Sequence, residues 1–410
     1  MTTTKNNEHK KLNVPNLRFP EFQGEWKNTT IGEIATIKNG PFGSVLHAED
    51  YVDEGMPIVT TEHFKSGNLP LSKNGIPQVS EDDYCRLKGY MLETDDIVFS
   101  RVGSVDINAH VEHVQQGWLF SGRVLRVRPI KSVNSLCLHY VLSTESVKRD
   151  IRNRAVGQTM PSINTPILSN TGIYMSQSEA EQKKIANLLS IIDERISTQS
   201  KIIEDLKKLK CAIIEKHFRQ AKLHKYKICD LGVPFSVGSL SKEDLSEEGH
   251  ECILYGELFT TYDCVINEVK SHTNKIANTT LSQKGDLLFP SSTTVDAVSL
   301  ISPSVIDIPN VILGGDMFGI HIDKKFNAYY LSYYINLIAR KKLAIYAKGS
   351  TIIHLHYKDI AKAQLLLPDL CEQDKIAKCM MAEDAKIKVE EQLLTKLEKQ
   401  KQYLLRQMFI

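Results

Sequence analysis

One segment of this 410-residue chain is written twice. EQKKIANLL begins at Glu181 and EQDKIAKCM begins at Glu372, 191 residues later and close to half the chain away. Carried without a gap to Phe218 and Phe409, the two stretches agree at 11 of 38 positions. Composition alone gives roughly two or three agreements. The shared residues include Glu181/Glu372, Gln182/Gln373, Lys184/Lys375, Ile185/Ile376, Ala186/Ala377, Ile196/Ile387, Leu206/Leu397 and Phe218/Phe409. A repeat of this length constrains the fold more than any local propensity, because each copy must build the same kind of unit.

Each copy reads as a long amphipathic helix. In the first, Ile185, Leu188, Leu189, Ile192, Ile196, Ile202, Ile203, Leu206, Leu209 and Ile213 form a heptad-like stripe with no Gly or Pro between Ser178 and Leu231. Ser178 with Glu181 has the form of a capping box. The second copy repeats the stripe at Ile376, Met380, Ile387, Leu393, Leu394, Leu397 and Leu404. Such a helix, about 57 Å long at 1.5 Å per residue, needs a partner for its apolar face. The other copy is one candidate, and a second chain is the alternative. The residues expected in the seam are Ile185, Ile192, Ile196, Leu206 and Ile213 with Ile376, Ile387, Leu394, Leu397 and Leu404.

The duplication continues upstream. DDIVFSRVGSVD from Asp95 lies opposite GDLLFPSSTTVD from Gly285, and VKRDIRNRAVGQT opposite IARKKLAIYAKGST. Short β-branched runs (IVFS, VLRVRPI, VILGG, FGIHI) broken by Gly and Pro predict strands. A helix is expected late in each domain, over 136–153 and 328–347. The expected class is α+β: two tandem mixed α/β domains, each followed by a long helix. The boundaries read as an N-terminal segment 1–25, a first domain 26–177, a central helix 178–221, a second domain 222–368 and a C-terminal helix 369–410.

A net charge of +2 does not by itself announce a nucleic-acid binder, so the positions of the basic residues must carry that argument. Arg123, Arg126, Arg128, Lys131, Lys148, Arg149, Arg152 and Arg154 crowd one stretch, and Lys324, Lys325, Arg340, Lys341, Lys342 and Lys348 crowd its counterpart. Both clusters precede a Gly-polar-Thr triplet, Gly157-Gln158-Thr159 and Gly349-Ser350-Thr351. Basic side chains neutralise phosphates, and a glycine turn with a hydroxyl suits a phosphate or a base edge. The bland reading is a solvated basic helix face; recurrence at equivalent positions favours nucleic acid. A second site is Ser100-Arg101-Val102-Gly103-Ser104, where an Arg on a loop has the fork that reads guanine. Its counterpart, with Ser291 and Thr293, presents hydroxyls.

Other chemistry finds little support. The eight cysteines form no C-x-x-C pair and no secretion signal precedes them, so reduced thiols in a cytoplasm are expected. Cys371 and Cys379 are poorly spaced for a metal, and His354 and His356 lack a third ligand nearby. There is no G-x-x-x-x-G-K-[ST] loop for ATP, and no Pro-Pro-aromatic motif of an amino-methyltransferase. Pro368-Asp369 with Asp374-Lys375 is a faint nuclease pattern that a helix cap equally explains.

Over essentially its whole length the chain resembles the specificity (S) subunits of type I restriction–modification systems. The resemblance lies in V-P-N-L-R-F-P-E-F-Q-G-E-W (Val14–Trp26), in I-G-E-I from Ile31, in the E-Q-x-K-I-A helix entries at Glu181 and Glu372, and in D-I-V-F-S-R-V-G-S. The second half departs from the pattern at Ser291, which has no counterpart of Arg101. The resemblance implies two target recognition domains, each reading half of a bipartite site in the major groove. It implies an antiparallel coiled coil with pseudo-two-fold symmetry that sets the spacer between half-sites. It also implies two modification subunits carrying adenine N6-methylation with S-adenosylmethionine, and two restriction subunits using ATP and Mg, with no cofactor on this chain and no catalysis by it. The competing classes are a methyltransferase or nuclease with degenerate motifs, and a coiled-coil scaffold that binds protein.

Overall fold

The computed structural model describes residues 13–41 and 46–410. The chain divides into two compact units, one formed by residues up to Gln199 together with Leu393–Ile410, the other by Ser200–Gln392. The first half of the chain runs through β1 (Lys27–Thr30), β2 (Ala35–Asn39), β3 (Ile97–Ser100), β4 (Asn108–His110), β5 (Val124–Pro129), α1 (Ser135–Leu142), α2 (Glu145–Arg154), β6 (Gly172–Met175) and the long helix α3 (Glu179–Gln220), whose residues from Ser200 belong to the second unit. The second half runs through β7 (His224–Lys227), β8 (Gly232–Ser236), β9 (Val265–Ile266), β10 (Asp286–Pro290), β11 (Ser304–Ile306), β12 (Met317–Ile322), α4 (Ala328–Tyr334), α5 (Arg340–Ala344), β13 (Gln364–Leu367) and the long helix α6 (Leu370–Met408), whose residues from Leu393 belong to the first unit.

The main sheets have matching orders, β2-β5-β3-β4 in the first unit and β8-β12-β10-β11-β9 in the second. In each half a separate two-stranded sheet pairs the strand entering the long helix antiparallel with the opening strand, β6 with β1 and β13 with β7. The apolar runs IVFS and DLLFP are buried from end to end, because successive strand residues face opposite sides and both sides are covered. Ile97 and Phe99 pack with α1 and the start of α3, while Val98 packs with Phe64 and Trp118 beneath a smaller sheet. Leu287 and Phe289, against Leu288, divide in the same way in the second unit. A buried Asp stands at the entry of each strand, Asp96 immediately before β3 and Asp286 as the first residue of β10. Asp96 takes two bonds from Arg128, at 2.6 and 2.8 Å, whereas Asp286 takes one from His321 at 2.6 Å.

The helix expected over 136–153 is two helices. Thr144 adopts an extended conformation and its hydroxyl bonds back to Val141 O at 2.7 Å, closing α1 and starting α2. In the second unit the same place is bridged by a π-helical turn over Ile335–Ala339, and the helix continues.

The long helices explain the repeated motif. Gln182 accepts from Asn134 N (2.8 Å) and donates to Ser176 O (2.8 Å), tying the helix entry to α1 and to the end of β6. Gln373 does the same with Asn327 N (2.9 Å) and Pro368 O (2.8 Å). In the first unit Tyr140 donates to Asp193 at 2.8 Å, and Lys401 reaches the same carboxylate at 2.5 Å. In the second, Tyr333 donates to Asp384 at 2.6 Å and Lys210 pairs with it. Each repeated Asp thus takes the repeated Lys of the opposite helix. Within the second unit the pairs Lys207–Glu391 and Lys210–Asp384 run in opposite senses along the two helices, so the helices are antiparallel.

All ten residues expected in the seam are buried or half-buried. The inward positions alternate by four and three, through Ile185, Leu189, Ile192, Ile196, Gln199, Ile203, Leu206, Lys210 and Ile213 on α3. Ile202 and Leu209, read from sequence as part of the stripe, are 40% and 48% exposed, because each sits one position off this phase.

The opening motif is a tether. Arg18 bonds both oxygens of Glu181, at 2.7 and 2.9 Å, Leu17 N donates to Gln407 O, and Trp26 packs edge-on against Phe409. The expected capping box is therefore half-formed: Ser178 caps Glu181 N at 3.3 Å, but the Glu181 carboxylate goes to Arg18 and Ser176. Burial opposes the charge on Glu181, yet these bonds prevail and hold its pKa below the usual carboxylate value. Its contribution is present above the unfolded pKa of about 4.3 and is lost as pH falls through the lower folded value. Arg18→Ala is expected to destabilise the first unit at pH 7 by about 2–3 kcal/mol, and much less at pH 3; hydrogen-exchange protection of the backbone amides of α1 at both pH values checks this. Among the described residues no helix is long and apolar enough to cross a membrane.

Candidate nucleic-acid interface

Three backbone segments meet beyond the end of β3. Arg101 N donates to Arg123 O (3.0 Å), Ile163 N to Arg101 O (2.9 Å) and Gly103 N to Pro161 O (2.8 Å). A hairpin closed by mutual bonds between Val156 and Ser162, 2.9 and 2.8 Å, carries Gly157-Gln158-Thr159 at its tip. The second unit repeats this arrangement beyond β10. Ser291 N donates to Asp316 O (2.7 Å), Leu355 N to Ser291 O (2.8 Å), and Lys348 and His354 close the hairpin at 2.9 and 2.7 Å. Gly349-Ser350-Thr351 is its tip.

The glycines are required there. Gly157 and Gly349 have φ of +101° and +126°, and an added Cβ would lie 2.9 Å from Met160 O and 2.0 Å from Ile352 O. Gly103, Ser104, Gln158, Thr159, Ser350 and Thr351 are all exposed, and Thr293 is half-exposed. The two loops, read from sequence as separate candidate sites, lie together in each unit.

Many of the basic residues are spent on the fold. Arg101 is half-buried and donates to Gly122 O at 3.0 Å. Arg152 pairs with Asp106 and Glu145. Arg154 bonds Asn170 O (3.2 Å), the Thr171 hydroxyl (2.7 Å) and Asp150. Arg340 holds Val298 O (2.7 Å) and Ser299 O (3.1 Å), Lys342 reaches Gln364 O (2.9 Å), and Lys348 pairs with Asp359. Arg126 is half-buried, and burial together with Arg128 lowers its pKa from the usual arginine value. Ser100 and Ser291 are 1% and 4% exposed, so neither side chain lies on the surface. Arg123, Arg149, Lys324 and Lys341 are exposed and Lys148 half-exposed.

One residue of the cluster escaped a search for basic side chains. Asp316 occupies in the second unit the place of Arg123 in the first, as the matching backbone bonds show. Aligning Gly122-Arg123 with Gly315-Asp316 would have found it. The nuclease-like acids are occupied: Asp369 caps Glu372 N at 3.0 Å, and Asp374 accepts from Asn327 at 2.7 Å.

The family model described as type I restriction modification DNA specificity domain matches the chain twice, over residues 23–208 and 217–399. A Methanocaldococcus jannaschii protein provisionally named as the MjaX type I restriction enzyme specificity subunit is 25% identical, over 97% of this chain and 96% of its own length. The MjaVIII specificity subunit of the same organism is 23% identical over 50% of this chain and 48% of its own length. Among solved structures, the S subunit of a type I restriction–modification system from M. genitalium aligns with a TM-score of 0.63 at 17% identity, covering 97% of this chain and 99% of that one. A chain from a structural study of type I system assembly and conformational transition aligns at 0.54 and 14% identity, covering 93% and 96%.

Proposed function

The chain belongs to the type I restriction–modification DNA specificity family and is the specificity subunit of such a system, and from that premise we propose that each of its two units reads one half of a two-part DNA sequence. The carrying observation is the loop cluster whose strand-end bonds and closed hairpin recur in the two units with different exposed side chains. A common frame with different tips suits two readers of different sequences.

In this reading the loops that hold Gly103, Ser104, Gln158 and Thr159, and those that hold Thr293, Ser350 and Thr351, enter the major groove. Arg123, Lys148, Arg149, Lys324 and Lys341 neutralise phosphates or reach base edges. Arg101, Arg152, Arg154, Arg340 and Lys348 shape the loops from behind. Helices α3 and α6 set the spacer between half-sites and dock two modification subunits, and two restriction subunits complete the assembly. The adenine methylation, with S-adenosylmethionine, and the ATP- and Mg-dependent cleavage belong to those partners. The chain contributes no catalytic group and works in the cytoplasm, where the genome is.

The test is binding to duplex DNA at several salt concentrations, using the chain assembled with its modification subunits. The logarithm of the affinity is expected to fall linearly with log salt. Arg149→Ala and Lys341→Ala should each weaken binding equally on all sequences and reduce the slope by about 1. Affinity that ignores salt would favour the protein-scaffold reading instead.

A further inference from the structure

Arg123 and Asp316 are opposite charges at one structural position. Each carbonyl accepts the N–H of the residue that follows the buried main-sheet strand's end, Arg101 at 3.0 Å and Ser291 at 2.7 Å, and each residue follows a glycine. The Arg123 side chain is exposed, and among the described residues its guanidinium has no hydrogen-bond or ion-pair partner. Glu62, whose charge it influences, is already paired with Lys65. The Asp316 carboxylate is 43% exposed and lies 4.0 Å from His354, on the hairpin whose tip is Gly349-Ser350-Thr351. The Asp316 side chain therefore sits beside a hairpin assigned to DNA, and the Arg123 backbone joins the equivalent cluster with its side chain exposed, so this inference rests on that assignment.

The chemistry of the two groups separates what they can read. A guanidinium offers only donors, in a fork that fits guanine O6 and N7. An ionised carboxylate offers only acceptors, so it repels phosphates and the acceptor edges of guanine and thymine, and it matches the cytosine N4 amine better than adenine N6, which lies beside the N7 acceptor. An exposed acid in a DNA-facing cluster is useful where it meets that amine and costly elsewhere.

We propose that Arg123 reads a guanine in the half-site of the first unit and that Asp316 reads a cytosine in the half-site of the second. The two halves of the target then each hold a specified G·C pair, set by residues at equivalent places in the repeat.

The test is a genome-wide N6-methyladenine map of host cells carrying the complete system with wild type, Arg123→Gln, Asp316→Asn or Asp316→Arg. Arg123→Gln should reduce discrimination at one G·C pair of one half-site about ten-fold or more, leaving the other half-site unchanged. Asp316→Asn should do the same in the opposite half-site. Asp316→Arg should invert the preferred pair there, a gained preference that misfolding cannot imitate. A two-part wild-type motif left unchanged by all three variants overturns this inference alone, as does one variant changing both half-sites. Loss of all methylation by Asp316→Asn, a change of nearly equal size at an exposed site, also counts against it. A wild-type map without any two-part motif would instead remove the reading beneath it.

Discussion

Asp384→Ala is expected to destabilise the second unit by about 2–3 kcal/mol. Asp384 accepts from Tyr333 at 2.6 Å and pairs with Lys210, whose side chain is 14% exposed and lies 4.9 Å from the Tyr333 ring centre. Burial, reinforced by Asp384, pushes the Tyr333 phenol well above its ordinary pKa, so it remains a donor at any workable pH. Removing the carboxylate leaves a buried hydroxyl and a poorly hydrated ammonium without their acceptor. Asp193→Ala should act likewise on the first unit, through Tyr140 and Lys401. Two units make a single unfolding free energy ill-defined, so protection of backbone amides in α4 and α1 against hydrogen exchange is the suitable measure. Asp384→Ala should release α4 and spare α1. A change below about 0.5 kcal/mol in α4, the scale of a surface pair, would mean the triad is ornamental.

Deleting Ser197–Ile203 from α3 removes one heptad, and its expected effect is loss of modification at the native target. The deletion preserves the phase of the inward face, because seven residues are two turns to within about 20°. It shortens the helix by about 10.5 Å, so Asp193 with Lys401 and Lys210 with Asp384 cannot both keep their partners. A matched deletion of Glu391–Leu397 from α6 restores both pairings. The doubly shortened protein should recover stability yet still fail on the native spacer, because about 10.5 Å corresponds to roughly three base pairs. Retention of the native spacer by that protein would mean the helices set no distance.

The duplication, the strands and the burial of the ten residues expected in the seam were legible because each is a periodic or repeated signal. Asp193/Asp384 and Lys210/Lys401 were also visible as identities. Their bonding was not, since each Asp takes the Lys of the other copy, and only antiparallel packing reveals that. Basic residues misled for a related reason. Arg154 and Arg340 read as phosphate ligands, but their guanidiniums land on carbonyls of their own unit. A sequence records the charge of a side chain and not its landing place. Asp316 is not legible as a DNA contact from its charge, because an acid cannot bind phosphate.

The most direct measurement is a genome-wide N6-methyladenine map of host cells with and without this gene. A specificity subunit with two readers on a fixed frame predicts that one two-part motif with one spacer length disappears when the gene is removed. Loss of a single continuous motif, or identical maps from cells in which the modification subunits are active, would contradict the account.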